Sequence, residues 1–149
     1  MREDKATKYY ELACNFAATF SKDPATKVGA IFLAPDSFEI LSMAYNGMPR
    51  GINETIPERW ERPIKYMWIS HAEENGILNA ARSGTSLLNS IAIVSHFPCA
   101  NCARMLIQAG IKTIVTKAPD MNCERWGENY KVSCEMFNEV AMEIQYIYP

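Results

Sequence analysis

The sequence predicts an α/β fold, a three-layer α/β/α sandwich around a mixed central sheet of about five strands. Three features carry that expectation. An amphipathic segment opens the chain, two apolar runs joined by a short turn follow it, and from residue 71 onward helical and strand-like segments alternate. With 149 residues, 48% apolar and 21% charged, the chain suits one hydrophobic core. Residues 1–149 are read as a single domain, because no repeat, low-complexity tract or linker interrupts them.

Tyr9, Leu12, Ala13, Phe16, Ala17 and Phe20 recur at helical spacing, so residues 3–20 form a helix, and SerLysAspPro at 21–24 stops it. ValGlyAlaIlePheLeu at 28–33 and GluIleLeuSerMetAlaTyr at 39–45 read as a hairpin turned by AlaProAspSer at 34–37. Residues 46–70 mix Gly47, Pro49, Gly51, Pro57 and Pro63 with Trp60, Tyr66 and Trp68. Irregular segments of that length in compact domains usually serve function. Residues 71–82 suit a helix that ends before Ser83 and Gly84, 90–95 a buried strand, 102–110 a helix closed by glycine and 112–116 a fourth strand. A polar stretch at 117–129 leads to a helix at 130–142 and a last strand at 143–147.

Fifteen Lys and Arg against 17 Asp and Glu give a net charge of −2, scattered rather than gathered into a stripe. Proteins that grip DNA or RNA concentrate cations, since each neutralised phosphate adds affinity, so no nucleic-acid partner is expected. A single small anion handled by a few local groups fits better. No apolar run approaches the roughly 18 residues of a membrane span, and MetArgGluAspLysAlaThrLys is too charged for a signal peptide. The expectation is a soluble, cytoplasmic protein with no membrane partner.

Five cysteines, Cys14, Cys99, Cys102, Cys123 and Cys134, are an odd number and argue against a disulfide framework. Cys14 and Cys134 are expected to pack as small apolar residues. Cys99 and Cys102 stand three apart where a helix is predicted to begin, so both sulfurs point the same way, and unpaired amides there favour thiolates. His71 supplies a third metal donor. Three protein ligands leave the fourth zinc position open, which is the catalytic rather than the structural pattern, and such a metal makes hydroxide available near neutral pH. Glu73 is placed to move protons without binding the metal. A thioredoxin-type redox pair leaves His71 and Glu73 without a purpose, and a closed structural site lacks a fourth ligand, Cys123 and Cys134 having no partner motif.

HisAlaGlu at 71–73 with ProCysAlaAsnCys at 98–102 resembles the signature of zinc nucleobase deaminases. SerLysAspProAlaThrLysValGlyAla at 21–30, TyrAsnGlyMetProArgGly at 45–51 and GlnAlaGlyIle at 108–111 make the chain similar to the deoxycytidylate (dCMP) deaminase family of the cytidine deaminase superfamily. These stretches span residues 21–111, 91 of 149 residues. The resemblance implies a cytidine deaminase-like fold and hydrolysis of dCMP to dUMP and ammonia, supplying thymidylate synthesis. It implies one Zn2+ per subunit on His71, Cys99 and Cys102, with Glu73 carrying protons between water, ring N3 and the departing amine. The alternatives are a deaminase of another cytosine nucleoside or nucleotide, or of a base in nucleic acid, and a non-catalytic zinc nucleotide-binding module.

Further roles follow only from the resemblance. The Ala72 amide meets the pyrimidine O2, the Pro98 carbonyl accepts from the leaving amine, and Asn46 bonds the sugar 3′-hydroxyl. Ser21, Lys22, Lys27 and Arg50 are candidates for the 5′-phosphate. Asn75 matches a family asparagine, with a helix-surface amide as the even alternative, and His96 is read as structural. Tyr45, Asn46, Gly47 and Arg50 correspond to an allosteric site between subunits of a homohexamer, where dCTP with Mg2+ activates and dTTP inhibits. Ala44 stands where the family usually has glycine, and a methyl group there works against close backbone approach. Residues 121–129 depart from the familiar pattern, which leaves a modified cytosine nucleotide open as substrate.

Overall fold

The computed structural model describes residues 1–148. Helix α1 (Glu3–Phe20) leads into the hairpin β1 (Gly29–Leu33) and β2 (Ile40–Tyr45). A 3-10 turn (Pro57–Trp60) and the short helix α2 (Lys65–Trp68) punctuate the next segment. Then α3 (Ala72–Ser83), β3 (Ile91–Val94), α4 (Ala100–Gln108), β4 (Thr113–Lys117), α5 (Gly127–Glu139) and β5 (Glu143–Ile147) alternate. The five strands form one mixed sheet in the order β2-β1-β3-β4-β5. β1 runs antiparallel to both β2 and β3, while β3, β4 and β5 are parallel.

Side-chain alternation explains the layers, because successive residues of a strand face opposite sides of the sheet. Ile31, Leu33, Ile91, Ile93 and Val115 pack against Ala6, Tyr10 and Ala13 of α1. Ala30, Phe32, Ala92, Val94 and Ile114 pack against α3, α4 and α5 through Ala80, Leu106 and Phe137. β1 and β3 are therefore buried on both faces, which is why they read as unbroken apolar runs. Gly76 lets α3 lie close on the sheet, since a Cβ there would enter the Phe32 ring. No helix among the described residues is long and apolar enough to cross a membrane.

Every predicted element is present, with three differences. The segment 46–70 is tied at its ends by a bridge between Gly47 and Ser70, and it contains α2, whose Lys65 is 5% exposed. The helix expected from residue 102 begins at Ala100, with Cys99 as its N-cap. The helix expected at 130–142 begins at Gly127, because GlyGluAsn reads as a turn while the Gly127 amide donates to the Cys123 carbonyl at 2.7 Å. Gly127 is buried where a Cβ would strike the Met121 carbonyl, so glycine here serves close packing inside a helix rather than ending one.

Candidate active site

Two helix beginnings meet at the ends of the central strands. His71 caps α3 and Cys99 caps α4, both with extended backbone, so neither side chain is committed to its own helix. His71 Nδ1 lies 3.5 Å from the sulfurs of both Cys99 and Cys102, and the three donor atoms all fall within 4.8 Å of one another. A tetrahedral zinc with ordinary Zn–N and Zn–S bonds requires a nitrogen-to-sulfur separation of about 3.6 Å. The donor set therefore fits zinc in kind, number and spacing, with a fourth position left over. It is the only group of this kind among the described residues.

Glu73 sits two residues beyond His71 and is 3% exposed. Burial pushes its carboxyl up to about 7, against the pull of the neighbouring His71. Cys99, hydrogen-bonded to Cys102 and to His71, is drawn down to about 4. Cys102, which gives its proton to that pair, is raised far above the usual thiol range. His71 is raised to about 9, chiefly by its contact with Cys99. With Cys102 and His71 both raised, each holds a proton that a metal binding these donors must displace.

A cavity of about 270 Å³ opens onto these groups. Val28 and Asn46 line it from the sheet edge, Tyr66 and Trp126 form an edge-to-face pair with ring centres 5.8 Å apart, and Trp126 also meets the His71 ring at 5.9 Å. Ala72 lines the cavity with a first-turn amide that has no intrahelical partner. Pro98 is fully buried between Phe97 and Cys99, two further lining residues.

The placement of the other expected residues is informative. Asn46 lines the cavity, yet its amide is occupied: Oδ1 accepts from Ser21 Oγ and the Val28 amide at 2.9 Å each, and Nδ2 donates to the Thr26 carbonyl and to Asp23. Ser21 is 2% exposed and spent on Asn46. Lys22 is ion-paired with Glu54, Lys27 reaches the Ala18 carbonyl, and none of Ser21, Lys22 and Lys27 lines the cavity. Arg50 donates to Asn79 at 2.6 Å and Asn75 to the Tyr45 carbonyl at 2.9 Å, while Tyr45 packs against Phe16 and Phe20. Tyr45, Gly47 and Arg50 also stand outside the cavity lining. Cys14 and Cys134 are half-buried against the two apolar cores.

Several lining residues were not singled out in the sequence: Arg62, Lys65, Arg125, Trp126 and Tyr130, whereas Tyr66 lies in the irregular segment expected to serve function. His96, read as structural, lines the cavity too. Residues of 61–70 and Cys123, Arg125 and Trp126 of the stretch that departs from the familiar pattern line the cavity together, Tyr66 meeting Trp126 edge to face.

Asp23 lines the cavity as well and holds Lys65. It accepts from Lys65 Nζ at 2.8 Å and from the Ala25 and Thr26 amides, and it is 1% exposed. Burial alone would raise its carboxyl, but Lys65 and the two amides hold it below the ordinary carboxylate range. A depressed folded-state pKa stabilises the fold above the unfolded value near 3.9, and that contribution fades as pH falls through the folded value. Lys65→Met is expected to cost about 3–5 kcal/mol at pH 7, because it strands a buried carboxylate. The difference from the parent should narrow as pH falls toward 3, where urea titrations will show converging midpoints.

Residues 3–118 match the family model of the cytidine and deoxycytidylate deaminase zinc-binding region. The chain belongs to this family. The deaminase is 37% identical over 143 residues to an uncharacterized deaminase in the luxG 3′ region of Aliivibrio fischeri, covering 95% of this chain and 92% of the other. It is 34% identical over 114 residues to the deoxycytidylate deaminase of Homo sapiens, covering 72% of this chain and 62% of that one, so it spans about three-fifths of the human protein. Among solved structures, the dCMP deaminase of the cyanophage S-TIM5, in complex with dCMP and dUMP, superimposes with a TM-score of 0.78 at 25% identity over 99% of both chains. The deaminase thus has the cytidine deaminase-like fold that the alternation of its elements predicts.

Proposed function

We propose that the protein hydrolyses dCMP to dUMP and ammonia, in the cytoplasm, as a supply for thymidylate synthesis. The observation that carries this reading is the convergence, at one cavity, of a three-donor group that fits zinc and a buried carboxyl held near 7, with Arg62 and Arg125 among the lining residues. The relatives named deoxycytidylate deaminase, and the cyanophage enzyme seen with dCMP and dUMP, support the same substrate.

When bound on His71, Cys99 and Cys102, zinc supplies an activated water at neutral pH. The remaining work falls to the chain. Glu73, with its carboxyl near 7, accepts a proton from water and passes it to ring N3, then takes the proton of the C4 hydroxyl and passes it to the departing amine, so it exchanges protons in both directions at physiological pH. The Ala72 amide holds the pyrimidine O2 and the Pro98 carbonyl receives the amine hydrogens. Tyr66 and Trp126 exclude bulk water from the ring. In the balance, C4–N breaks, C4–O forms, and water provides the oxygen and two hydrogens. Asn46, expected to bond the sugar 3′-hydroxyl, instead spends its side-chain amide on four internal bonds that tie residues 21–28 to the end of β2.

The reading extends to a homohexamer regulated by dCTP with Mg2+ and by dTTP around Tyr45, Asn46, Gly47 and Arg50, with Ala44 3% exposed at that place. The test is a comparison of kcat/KM for dCMP, CMP and deoxycytidine, repeated for dCMP with dCTP and Mg2+. A nucleotide enzyme favours dCMP over deoxycytidine by at least tenfold; equal rates would move the assignment to a nucleoside deaminase. An unchanged rate curve with dCTP would remove the regulatory part.

A further inference from the structure

The segment between β2 and α3 is held to the domain by a charge rather than by apolar packing. Among the described residues 48–70, Lys65 alone is buried, although lysine is one of the side chains least often found inside a protein. The apolar neighbours do not anchor the segment. Ile64, Tyr66 and Met67 are exposed, and the 3-10 turn at Pro57–Trp60 buries nothing. Several polar contacts run within the segment: Trp60 Nε1 donates to the Glu54 carbonyl, and Arg59 donates to the Asn53 carbonyl and lies over the Trp68 ring. These stiffen it without attaching it.

Attachment comes from other contacts. The Gly47–Ser70 bridge closes the two ends. Between them, Glu54 meets Lys22, Arg50 meets Asn79 and Arg62 meets Thr26, but all three contacts are exposed, where water and salt weaken them. The Lys65–Asp23 pair differs, because its side chains are 6% and 1% exposed and its 2.8 Å attraction is screened far less. Its far end is fixed to the hairpin. Asp23 Oδ1 accepts from the Ala25 and Thr26 amides, and Oδ2 accepts from Asn46 Nδ2 at 3.2 Å as well as from Lys65.

A buried ion pair is weak evidence for stability, since apolar side chains of similar volume often serve as well or better. What this pair fixes is placement. Asp23 and Lys65 line the cavity, and so do Tyr66 and Ile69 beside Lys65 in sequence. The Ile69 amide donates to the Lys65 carbonyl at 2.9 Å, so one helical turn carries all three. Tyr66 in turn meets Trp126, and Trp126 meets the His71 ring.

We propose that Lys65 is a positioning residue: its ion pair with Asp23 docks residues 48–69 on the domain and so sets Tyr66 and Ile69 in the cavity lining. The effect on substrate affinity rests on the deaminase reading of the cavity, whereas the docking does not.

The test compares the parent with Lys65→Gln, which leaves Asp23 a hydrogen-bond donor and so spares the fold where Lys65→Met strands the carboxylate. Amide hydrogen exchange of the zinc-loaded proteins, without substrate, is followed peptide by peptide. Exchange over residues 56–69 should rise about tenfold or more, while β1, β3 and α3 keep the parent's protection and zinc content is unchanged. KM for dCMP should rise about 5- to 20-fold with kcat altered less than about threefold, since the lining shifts and Glu73 does not. Unchanged exchange over 56–69, or a rise spread evenly through the domain, would overturn the docking role. An unchanged KM beside locally faster exchange would overturn the positioning of the lining. Absence of turnover by the parent would count against the deaminase reading, and the exchange result would still decide the docking.

Discussion

Glu73→Gln is expected to lower kcat for dCMP by about 10²- to 10⁴-fold while one zinc per chain stays bound, since that is the range a positioned acid-base group contributes. The side chains match in size, so the cavity and the His71–Cys99–Cys102 cluster are left in place. What disappears is the ability to change protonation state. In the parent, burial holds the Glu73 carboxyl at about 7, so both of its forms are populated at neutral pH. An amide can still hydrogen-bond, but it cannot take a proton from water and return one to the amine. Rapid-mixing kinetics with metal analysis on the same sample check the prediction. Full activity in the variant would remove Glu73 as the proton carrier.

The second large effect is expected at Cys99. Cys99→Ala leaves His71 and Cys102 as a two-donor set, and metal affinity should fall by more than the roughly 10- to 100-fold that changes to supporting groups cost. Zinc that binds the folded chain alone adds about 2.7 kcal/mol at a hundredfold excess over its dissociation constant. For a domain of this size, losing that much corresponds to a fall of about 5–10 °C in Tm. The variant should purify with little zinc and show no further loss of Tm on adding chelator. Cys134→Ala is the matching control, because Cys134 packs against the larger apolar core and lies outside the cluster. Stoichiometric zinc in Cys99→Ala would contradict the ligand assignment.

What was legible in the sequence was whatever local spacing controls. The hairpin, the alternation after residue 71 and the two helix beginnings that carry His71 and Cys99 follow from periodicity and caps, and these place the metal donors together. The outer cavity follows from tertiary placement. Lys22 and Lys27 look like phosphate donors by charge, yet one is held by Glu54 and the other by a helix carbonyl. Ser21 sits in a family-like stretch, but a hydroxyl 2% exposed and bonded to Asn46 has no freedom to meet a ligand. Arg62 and Arg125 lie in segments with no periodic signal, and only the tertiary fold brings them to one cavity. His96 was obscured for another reason: a histidine just past an apolar strand looks structural until the fold brings it to the cavity lining.

The most direct measurement follows ultraviolet absorbance of zinc-loaded protein with dCMP, with dUMP and ammonia quantified at the end point. The account predicts conversion with one dUMP and one ammonia formed per dCMP consumed, lost on chelation and regained with zinc. Absence of conversion by protein that holds one zinc per chain would contradict it.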